Sequence, residues 1–246
     1  MKIVAIDSSG LVASIAVLED EQLIAEYTIN LKKTHSQTLL PMLDEIVNRI
    51  ELELSSIDAI AVAAGPGSFT GLRIGSATAK GLGLVLKKPI IAVPTVDGLA
   101  YNLYGTDKLV CPIMDARRNQ VYTGIYEFAG NDNQQMTFQL KTILEQCVVQ
   151  IEDVANKINE LNREVIFTGD GIPVFSSILK TLMKVPYSFA PPHMNRQRAA
   201  TIGALGAIYY KDGNMQTPSE HEPNYLRMSQ AERERLEKEE SSSANS

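Results

Sequence analysis

Residues 57–86, IDAIAVAAGPGSFTGLRIGSATAKGLGLVL, contain a predicted strand, a glycine-rich turn and a predicted helix in immediate succession. The run from Ile57 to Ala64 is almost entirely apolar, which is typical of a strand that is buried on both faces of its sheet. The residues at 65–67, Gly-Pro-Gly, have the composition of a turn, and a helix is predicted from Leu72 to Leu86. Together these elements indicate an α/β fold.

The residues before and after this stretch extend it to the order strand-strand-strand-helix-strand-helix-strand. The additional strands are predicted at Lys2–Asp7, Leu11–Leu18, Leu23–Ile29 and Ile90–Val93, and the additional helix at Ser36–Ile50. The apolar residues of that helix share one face. Because Pro41 lies a turn into the helix, a later start or a kink is expected there.

The same order recurs in the second part of the chain. Its strands are predicted at Leu109–Asp115, Gln120–Phe128, Met136–Lys141, Glu164–Thr168 and Tyr187–Ala190, and its helices at Ile151–Leu161 and Pro173–Met183. The recurrence predicts a duplicated α/β fold in which the carboxyl ends of both sets of strands face one cleft. Ligands of open α/β sheets bind at such a crevice.

The duplication also predicts the division into domains. Residues 1–100 are expected to form the first domain, which would carry the partner-binding surface, and residues 101–196 the second. A last helix, Ala199–Tyr210 within residues 197–212, is expected to return to the first domain. Residues 228–246 are polar throughout and lack an apolar face, so a disordered tail is predicted there.

The composition excludes several classes of protein. Of the 246 residues, 44% are apolar and 21% are charged, which excludes disorder over most of the length and excludes collagen-like and disulfide-scaffold chains. The net charge of −6 makes the chain a poor stand-alone binder of nucleic acid, because neutralising phosphates requires clustered lysine and arginine. The chain shows neither a signal peptide nor a membrane-spanning apolar run, so a cytoplasmic protein without membrane contact is expected. Cys111 and Cys147 form no CxxC pair, and Cys111 is expected to be a buried free thiol.

The loop GPGSFTG at 65–71 is the sharpest local motif, and it has three interpretations. It lies between a strand and a helix, where phosphate-binding loops occur, but it lacks the Gly-Lys-Ser/Thr of a Walker A loop and the spacing of the dinucleotide fingerprint. It is a tight turn that needs glycine, a weak phosphate contact, or a device that presents the next helix to a partner.

Small residues recur every fourth position in that next helix, at Gly71, Gly75, Ala79 and Gly83. Such a row allows another element to approach closely, at a cost of roughly 2–3 kcal/mol for three glycines in a helix. The row packs either against the chain's own sheet or against a partner helix. The apolar face of the preceding helix is a candidate for the same partner surface, through Leu39, Met42, Leu43 and Ile46.

Several polar residues follow the strands that would face the cleft. Asp7 and Asp115 each end a predicted strand, and they are either cleft residues or simple turn caps. The candidate nucleotide contacts at the cleft or at an interface are Asp7, Ser8, Gly10, Asp115, Arg117 and Gly169, and Arg118 is a further candidate for a nucleotide, RNA or acidic partner. None of the three histidines has a companion at metal-ligand spacing, and no nucleophile elbow occurs, so the residues alone indicate no catalytic set.

Six motifs carry a resemblance to a known family: IVAIDSSG, THSQTLLPML, AVAAGPGSFTGLRIGSATAKGLGL, MDARRNQVY, TGDG and PNYLR. Over residues 1–227 the chain resembles the bacterial TsaB (YeaZ) family of tRNA threonylcarbamoyladenosine biosynthesis. The resemblance implies an actin-like ATPase fold of two ribonuclease H-like halves. It also implies a part in attaching threonylcarbamoyl to the adenosine 3′ of the anticodon, in tRNAs that read codons beginning with A.

The resemblance further implies a non-catalytic subunit. Family members pair with the homologous transferase TsaD, help to recruit the ATPase TsaE, form homodimers in isolation, and meet tRNA through the complex. Their dimers form through helices of the N-terminal domain, which assigns partner binding to Leu39, Met42, Leu43, Ile46, Gly71, Gly75, Ala79 and Gly83 of this chain. No tightly bound cofactor is expected, and ATP or ADP shared at the heterodimer interface stays open.

One departure from the catalytic relative bears on activity. The relative has an HxxxH metal motif after the short strand, and Thr95 and Leu99 stand at the corresponding positions here. Leucine cannot ligate a metal and a lone threonine hydroxyl is a poor substitute for imidazole, so no metal site and no catalytic residue are expected. The alternatives are an autonomous actin-like ATPase or kinase, in which Asp7 and Asp115 would organise Mg-nucleotide, and a peptidase, for which no catalytic group is apparent.

Overall fold

The computed structural model describes residues 1–31, 34–130 and 137–227, which form two five-stranded sheets. The predicted tail at 228–246 and the predicted strand start at Met136 lie outside these residues. The first half contains β1 (Lys2–Asp7), β2 (Ala13–Glu19), β3 (Gln22–Ile29), α1 (His35–Arg49), β4 (Ala59–Gly65), α2 (Phe69–Leu86), β5 (Ile90–Pro94) and α3 (Thr95–Tyr101).

The second half repeats this order. It contains β6 (Leu109–Asp115), β7 (Gln120–Gly130), β8 (Phe138–Gln150), α4 (Ile151–Leu161), β9 (Val165–Thr168), α5 (Ile172–Leu182) and β10 (Tyr187–Phe189), followed by α6 (Ala199–Lys211). The sheet orders are β3-β2-β1-β4-β5 and β10-β9-β6-β7-β8. If the strands of each half are numbered from 1 to 5 and the second sheet is read from β8, both sheets have the order 3-2-1-4-5. The duplicated β-β-β-α-β-α-β fold is therefore confirmed.

Helices cover both faces of the first sheet. Helices α1 and α2 pack on one face around the buried side chains of Ile6, Ile60 and Val62, and α6 covers the other. Helix α6 approaches the sheet closely at two glycines. A side chain at Gly203 would overlap Leu18, and one at Gly206 would lie 2.7 Å from the Cβ atom of Ala61.

Two elements differ from their predicted bounds. Helix α1 begins at His35, before Pro41, so the expectation of a later start is wrong. Pro41 is exposed and so is Gln37, whose carbonyl group would have accepted the missing hydrogen bond, so water can satisfy it. Strand β8 continues to Gln150, nine residues beyond the predicted end at Lys141, because it pairs with β7 over that length.

Two connections tie the halves together, and the first lies at α3. The half-buried carboxylate of Asp97 in α3 accepts a hydrogen bond of 2.6 Å from the Tyr126 hydroxyl on β7 and one of 3.2 Å from the Tyr209 hydroxyl on α6. Tyr126 belongs to the second sheet, whereas α6 packs on the first. Burial raises the pKa of Asp97, and the two tyrosine hydrogen bonds act against this rise.

The second connection is the segment Asn214–Arg227, called the strap below. It follows α6 and runs back along the first half, where Gln216 pairs with Ile90 of β5 and Lys80 of α2 donates to the His221 carbonyl group at 2.9 Å. Further on, the Asn224 backbone N–H donates to the Ala64 carbonyl group at 2.7 Å. Its last described residue, Arg227, donates to the carbonyl group of Ala116 in the second half, so the strap bridges the two halves.

Among the described residues, no helix combines the length and the apolar character that crossing a bilayer requires. Cys111 is buried and Cys147 is half-buried, and neither forms a disulfide. The predicted buried free thiol at Cys111 is confirmed, and burial raises its pKa to about 12.

Candidate functional site

A cavity of about 610 Å³ lies where the carboxyl ends of strands β1, β4, β6 and β9 meet. Strands β1 and β4 are parallel neighbours in the first sheet, and β6 and β9 are parallel neighbours in the second. Each strand therefore delivers the residues that follow it to the same place, as the duplication predicts. The lining residues are Ser9, Gly10, Leu11, Gly67, Ser68, Met114, Asp115, Ala116, Arg117, Tyr122, Asp170, Arg196 and Gln197.

Asp7 lies behind the first-half wall of the cavity. It is 1% exposed, and its Oδ1 atom accepts hydrogen bonds from the Ser9 backbone N–H at 2.9 Å and the Ser9 hydroxyl at 2.6 Å. Burial raises the pKa of Asp7 to about 6, although the Ser9 hydrogen bonds oppose the rise. Asp7 therefore shapes the turn that presents Ser9 and does not itself line the cavity.

The GPGSFTG loop packs against that same turn. The Ser68 backbone N–H donates to the Ser9 carbonyl group at 2.6 Å, and any side chain at Gly67 would overlap that carbonyl oxygen. Glycine is therefore required at position 67 by the close approach of the chain's own backbone. This contact favours the tight-turn interpretation of the loop, because the Ser68 N–H is already bonded within the chain.

The second-half wall is more polar. The Asp115 carboxylate accepts a hydrogen bond of 2.7 Å from the Arg117 backbone N–H and pairs with the Arg117 guanidinium at 3.3 Å. Arg196 donates to the Gly169 carbonyl group at 3.2 Å. The half-buried Asp170 accepts a long hydrogen bond from the Asp115 backbone N–H at 3.4 Å, and burial raises the pKa of Asp170.

Gln197 occupies the base of the cavity between the halves. It is 1% exposed, and neither its amide nitrogen nor its amide oxygen has a hydrogen-bond partner among the described residues. A side chain at Gly10 would lie 2.7 Å from that amide nitrogen. Gly10 therefore leaves the room that the Gln197 amide occupies.

The structure brings some of the predicted nucleotide contacts together and separates others. Gly10, Asp115 and Arg117 line the cavity. Asp7 and Ser8 do not line it, because Asp7 bonds to Ser9 and the Ser8 hydroxyl donates to the Gly71 carbonyl group at 2.9 Å. Gly169 takes part through its carbonyl group, which accepts from Arg196.

The sequence interpretation missed the lining residues Asp170, Arg196 and Gln197, and it included Ser68 only as part of the GPGSFTG loop. The recurrence of a turn after the fourth strand of each half was a usable signal for Ser68 and Asp170. Arg196 and Gln197 lie in an irregular stretch before α6, where no periodicity marks them.

The predicted partner-binding residues require a correction, because the structure buries them within the chain. Their row in α2 faces the first half itself: a side chain at Gly71 would overlap the Ser8 carbonyl oxygen, one at Gly75 would overlap the Ser8 hydroxyl, and one at Gly83 would lie 2.8 Å from Pro218. Ala79 is fully buried in the core. In α1, Leu39, Met42, Leu43 and Ile46 are each 5% exposed or less and belong to the same core.

A different face of the same helices is exposed. Helix α2 exposes Ala77 and Gly81, with open space around the Cβ position of Gly81, and then Leu84 and Val85, which are 63% and 81% exposed. We call these four residues the outer face of α2. Helix α1, which packs against α2, exposes Leu40.

The positions expected to replace a metal motif do not fit a metal. Thr95 is 1% exposed and Leu99 is fully buried, and both lie in α3, whose Val96 and Leu99 belong to an apolar cluster. The Thr95 hydroxyl has no partner among the described residues. Over the described ranges, no group of three or more His, Cys, Asp or Glu side chains is arranged to hold a metal ion.

Comparisons with known proteins identify relatives of this chain. A family model described as TsaD, tRNA N6-adenosine threonylcarbamoyltransferase, matches residues 22–235. The tRNA threonylcarbamoyladenosine biosynthesis protein TsaB of Bacillus subtilis is 33% identical over 241 residues, which cover 96% of this chain and 99% of that protein. The protein of the same name from Escherichia coli is 32% identical over 174 residues, which cover 70% of this chain and 72% of that protein.

A solved structure agrees with these sequence relatives. YeaZ from Pseudomonas aeruginosa superimposes with a TM-score of 0.75 at 26% identity, covering 92% of this chain and 99% of the YeaZ chain. The similarity therefore extends over both halves.

Proposed function

This chain belongs to the TsaB (YeaZ) family of tRNA threonylcarbamoyladenosine biosynthesis proteins, and we propose that it is a non-catalytic scaffold subunit of that pathway. It pairs with the homologous transferase TsaD and helps to recruit the ATPase TsaE. The complex attaches threonylcarbamoyl to N6 of the adenosine 3′ of the anticodon, in tRNAs that read codons beginning with A.

The single observation that carries this proposal is the outer face of α2. Two adjacent large apolar side chains, Leu84 and Val85, are more than half exposed, and the preceding Ala77 and Gly81 leave the helix backbone accessible. Exposed apolar area next to small residues suits close packing of a partner helix. An apolar groove lined by Leu84, Met215 and Pro218 continues this surface toward the strap. The same face accommodates a second copy of the chain in the absence of the transferase.

The absence of a catalytic role is supported by the chemistry of α3. A threonine and a leucine stand at positions 95 and 99, in an apolar environment that offers no imidazole to a metal. Asp7 is 1% exposed and its Oδ1 atom accepts both hydrogen bonds from Ser9, so its carboxylate does not line the cavity where it would organise Mg-nucleotide. We propose that this chain alone binds no cofactor tightly and that any ATP or ADP is shared with the transferase at their interface.

Pairing is tested by Val85→Asp. The substitution places a charge in the proposed seam, and burying an unpaired carboxylate is costly, so affinity for the transferase should fall at least about tenfold. Val174→Asp is the matched control, because Val174 is 54% exposed on α5 of the second half. Both variants should keep the wild-type melting temperature. Unchanged pairing of Val85→Asp would show that the seam lies elsewhere.

The catalytic assignment is tested by omission. A tRNA modification assay with this chain, the transferase and the ATPase should lose activity when any one of the three is left out. Transfer of threonylcarbamoyl to tRNA by this chain alone would overturn the scaffold role.

A further inference from the structure

Four of the eight described arginines have no carboxylate within 4.0 Å among the described residues. They are Arg73 on α2, Arg118 in the β6–β7 turn, Arg196 in the cavity wall and Arg227 at the end of the strap. The other four each pair with an aspartate or glutamate. A guanidinium is always charged, so unpaired arginines that are gathered in one place attract an anion.

A chain of contacts gathers three of them, Arg73, Arg118 and Arg227, at the mouth of the cavity. The Arg73 guanidinium lies 4.0 Å from the centre of the Phe69 ring, and the Phe69 ring centre lies 4.5 Å from that of Tyr225. Two residues along the strap, Arg227 donates to the carbonyl group of the cavity-lining Ala116. Ala116 is followed directly in the chain by the β6–β7 turn, which contains Arg118. We call this set the arginine rim, and it comprises Phe69, Arg73, Arg118, Tyr225 and Arg227.

The β6–β7 turn has an unusual backbone that displays its arginines. Arg117, Arg118 and Asn119 have φ angles of 68°, 55° and 60°, and three successive non-glycine residues in the left-handed region are uncommon. The Asp115 carboxylate holds the turn by accepting from the Arg117 backbone N–H. All three turn residues are exposed as a result.

The rim has free hydrogen-bonding capacity. Arg73 and Arg118 are exposed and make no hydrogen bond to another described residue, and Arg227 uses only one of its nitrogens. A guanidinium offers five N–H donors in a fork that matches two phosphate oxygens. Between these arginines, Tyr225 is 38% exposed, and its ring packs against that of Phe69.

We propose that the arginine rim binds a single-stranded segment of RNA across the mouth of the cavity. Arg73, Arg118 and Arg227 would contact successive phosphates, and a base would stack on Tyr225. Positive groups along a backbone path combined with an exposed aromatic ring are the means by which proteins hold single strands without reading their sequence. The proposal rests on the proposed function for the identity of the RNA, which would be the tRNA of the modification complex.

The net charge of −6 is consistent with a contact of limited size. The local cluster attracts phosphate while the rest of the chain repels it, so the isolated protein should bind RNA weakly and at low salt only. Within the complex, the transferase would supply the remaining contacts, and the rim would add to them.

The test measures binding of fluorescein-labelled oligouridylate by fluorescence anisotropy over a series of salt concentrations. For single strands, each phosphate contact contributes about −0.7 to the slope of log affinity against log salt. The double variant Arg73→Gln/Arg118→Gln should therefore reduce the magnitude of the slope by about 1.4 and lower the affinity at low salt.

The matched control is Lys157→Gln/Arg163→Gln. It removes the same net charge from exposed positions on and just after α4, away from the rim. A non-specific charge effect would lower affinity equally in both double variants, and that result would overturn the proposal.

Tyr225→Ala separates stacking from charge. Stacking of a base on an aromatic ring is worth about fivefold to 150-fold in affinity, and the loss should be similar at every salt concentration because no ion is released. The salt slope should stay at its wild-type value. No loss of affinity in Tyr225→Ala would remove the stacking platform from the proposal.

Two further measurements distinguish the alternatives. Displacement of the oligouridylate by millimolar inorganic phosphate at constant ionic strength would indicate a site for a single phosphate and would overturn the RNA assignment. Affinity for the transferase is measured for each variant, and it should be unchanged. If the rim variants pair normally but the complex binds tRNA as tightly as the wild type, the rim is wrong while the scaffold role stands.

Discussion

At the scale of single residues, the first-half wall of the cavity contains a carboxyl group whose charged state the fold disfavours. Asp7 is almost fully buried, and its pKa rises to about 6 from an ordinary value of 3.8. The folded state therefore binds more protons than the unfolded state between these two values. Stability consequently falls as the pH rises from about 4 to about 6.

We expect Asp7→Asn to be more stable than the wild type at neutral pH by about 3 kcal/mol, since the pKa of Asp7 rises from 3.8 to about 6 and about 1.4 kcal/mol corresponds to each unit of that shift. The amide oxygen can still accept both hydrogen bonds from Ser9, so the turn is retained. Urea unfolding at several pH values checks this, and the decline of stability between pH 4 and 6 should flatten. Asp44→Asn, on the exposed side of α1, is the control for replacing an aspartate, and its stability at pH 7 should stay within about 0.5 kcal/mol of the wild type. A variant of Asp7 that is less stable at pH 7 would contradict the role of burial.

Single residues of the site were only partly predictable from the sequence. A strand end is visible in the pattern, which makes Asp115 and Arg117 candidates for the cleft, and both line the cavity. The direction of a side chain at a strand end is not visible, and Asp7 consequently lies behind Ser9. Gln197 lies in the irregular segment between β10 and α6, where the sequence has no periodic pattern that would mark a cavity residue.

At the scale of elements, α2 contains glycines with opposite requirements. Gly71 faces the turn after β1, where a methyl group would overlap the carbonyl oxygen of Ser8. Gly81 lies on the outer face with open space around it. Substitutions at Gly81 therefore report the cost of glycine in a helix, and substitutions at Gly71 report its role in close packing.

We expect Gly81→Ala to stabilise the fold by about 0.5–1 kcal/mol, because alanine loses less backbone entropy in a helix. Gly71→Ala should destabilise it by about 2 kcal/mol or more, because a backbone atom cannot easily move away. Thermal unfolding of the two variants checks both signs. Equal effects of the two substitutions would mean that α2 does not pack on the turn as described.

The order of elements was predictable because most helices and strands show their own hydrophobic periodicity in the sequence. Which helix faces stay exposed was not predictable. The four-residue row of small residues in α2 predicted a close approach, and the approach is to the chain's own turn. An apolar side chain on a helix indicates that it packs against another surface. It does not indicate whether that surface belongs to the same chain or to a partner. Leu39 and Ile46 are covered by the sheet, whereas Val85 on the next helix is not.

At the scale of the whole molecule, the two halves are joined through α3, α6 and the strap. Asp97 receives one hydroxyl from each side of this junction, from Tyr126 on the second sheet and Tyr209 on α6. The carboxylate is half-buried and its pKa is raised by burial, so the tyrosines reduce the cost of its charge. The junction should therefore couple the stability of the halves.

We expect Tyr126→Phe to lower stability at neutral pH by about 1–2 kcal/mol, because it removes one donor from a carboxylate that the fold shields from water. The folded pKa of Asp97 should rise further in this variant, so its loss of stability relative to the wild type should grow as the pH rises and shrink toward pH 4. In the double variant Asp97→Asn/Tyr126→Phe, the tyrosine substitution should cost less than it does alone. Urea unfolding followed by circular dichroism measures all three effects. Because α6 and the strap still join the halves in these variants, the transition should stay single with the wild-type dependence on urea. A loss of stability that does not change with pH would contradict the role of the Asp97 carboxylate, and a biphasic transition of the wild type would show that the halves unfold independently.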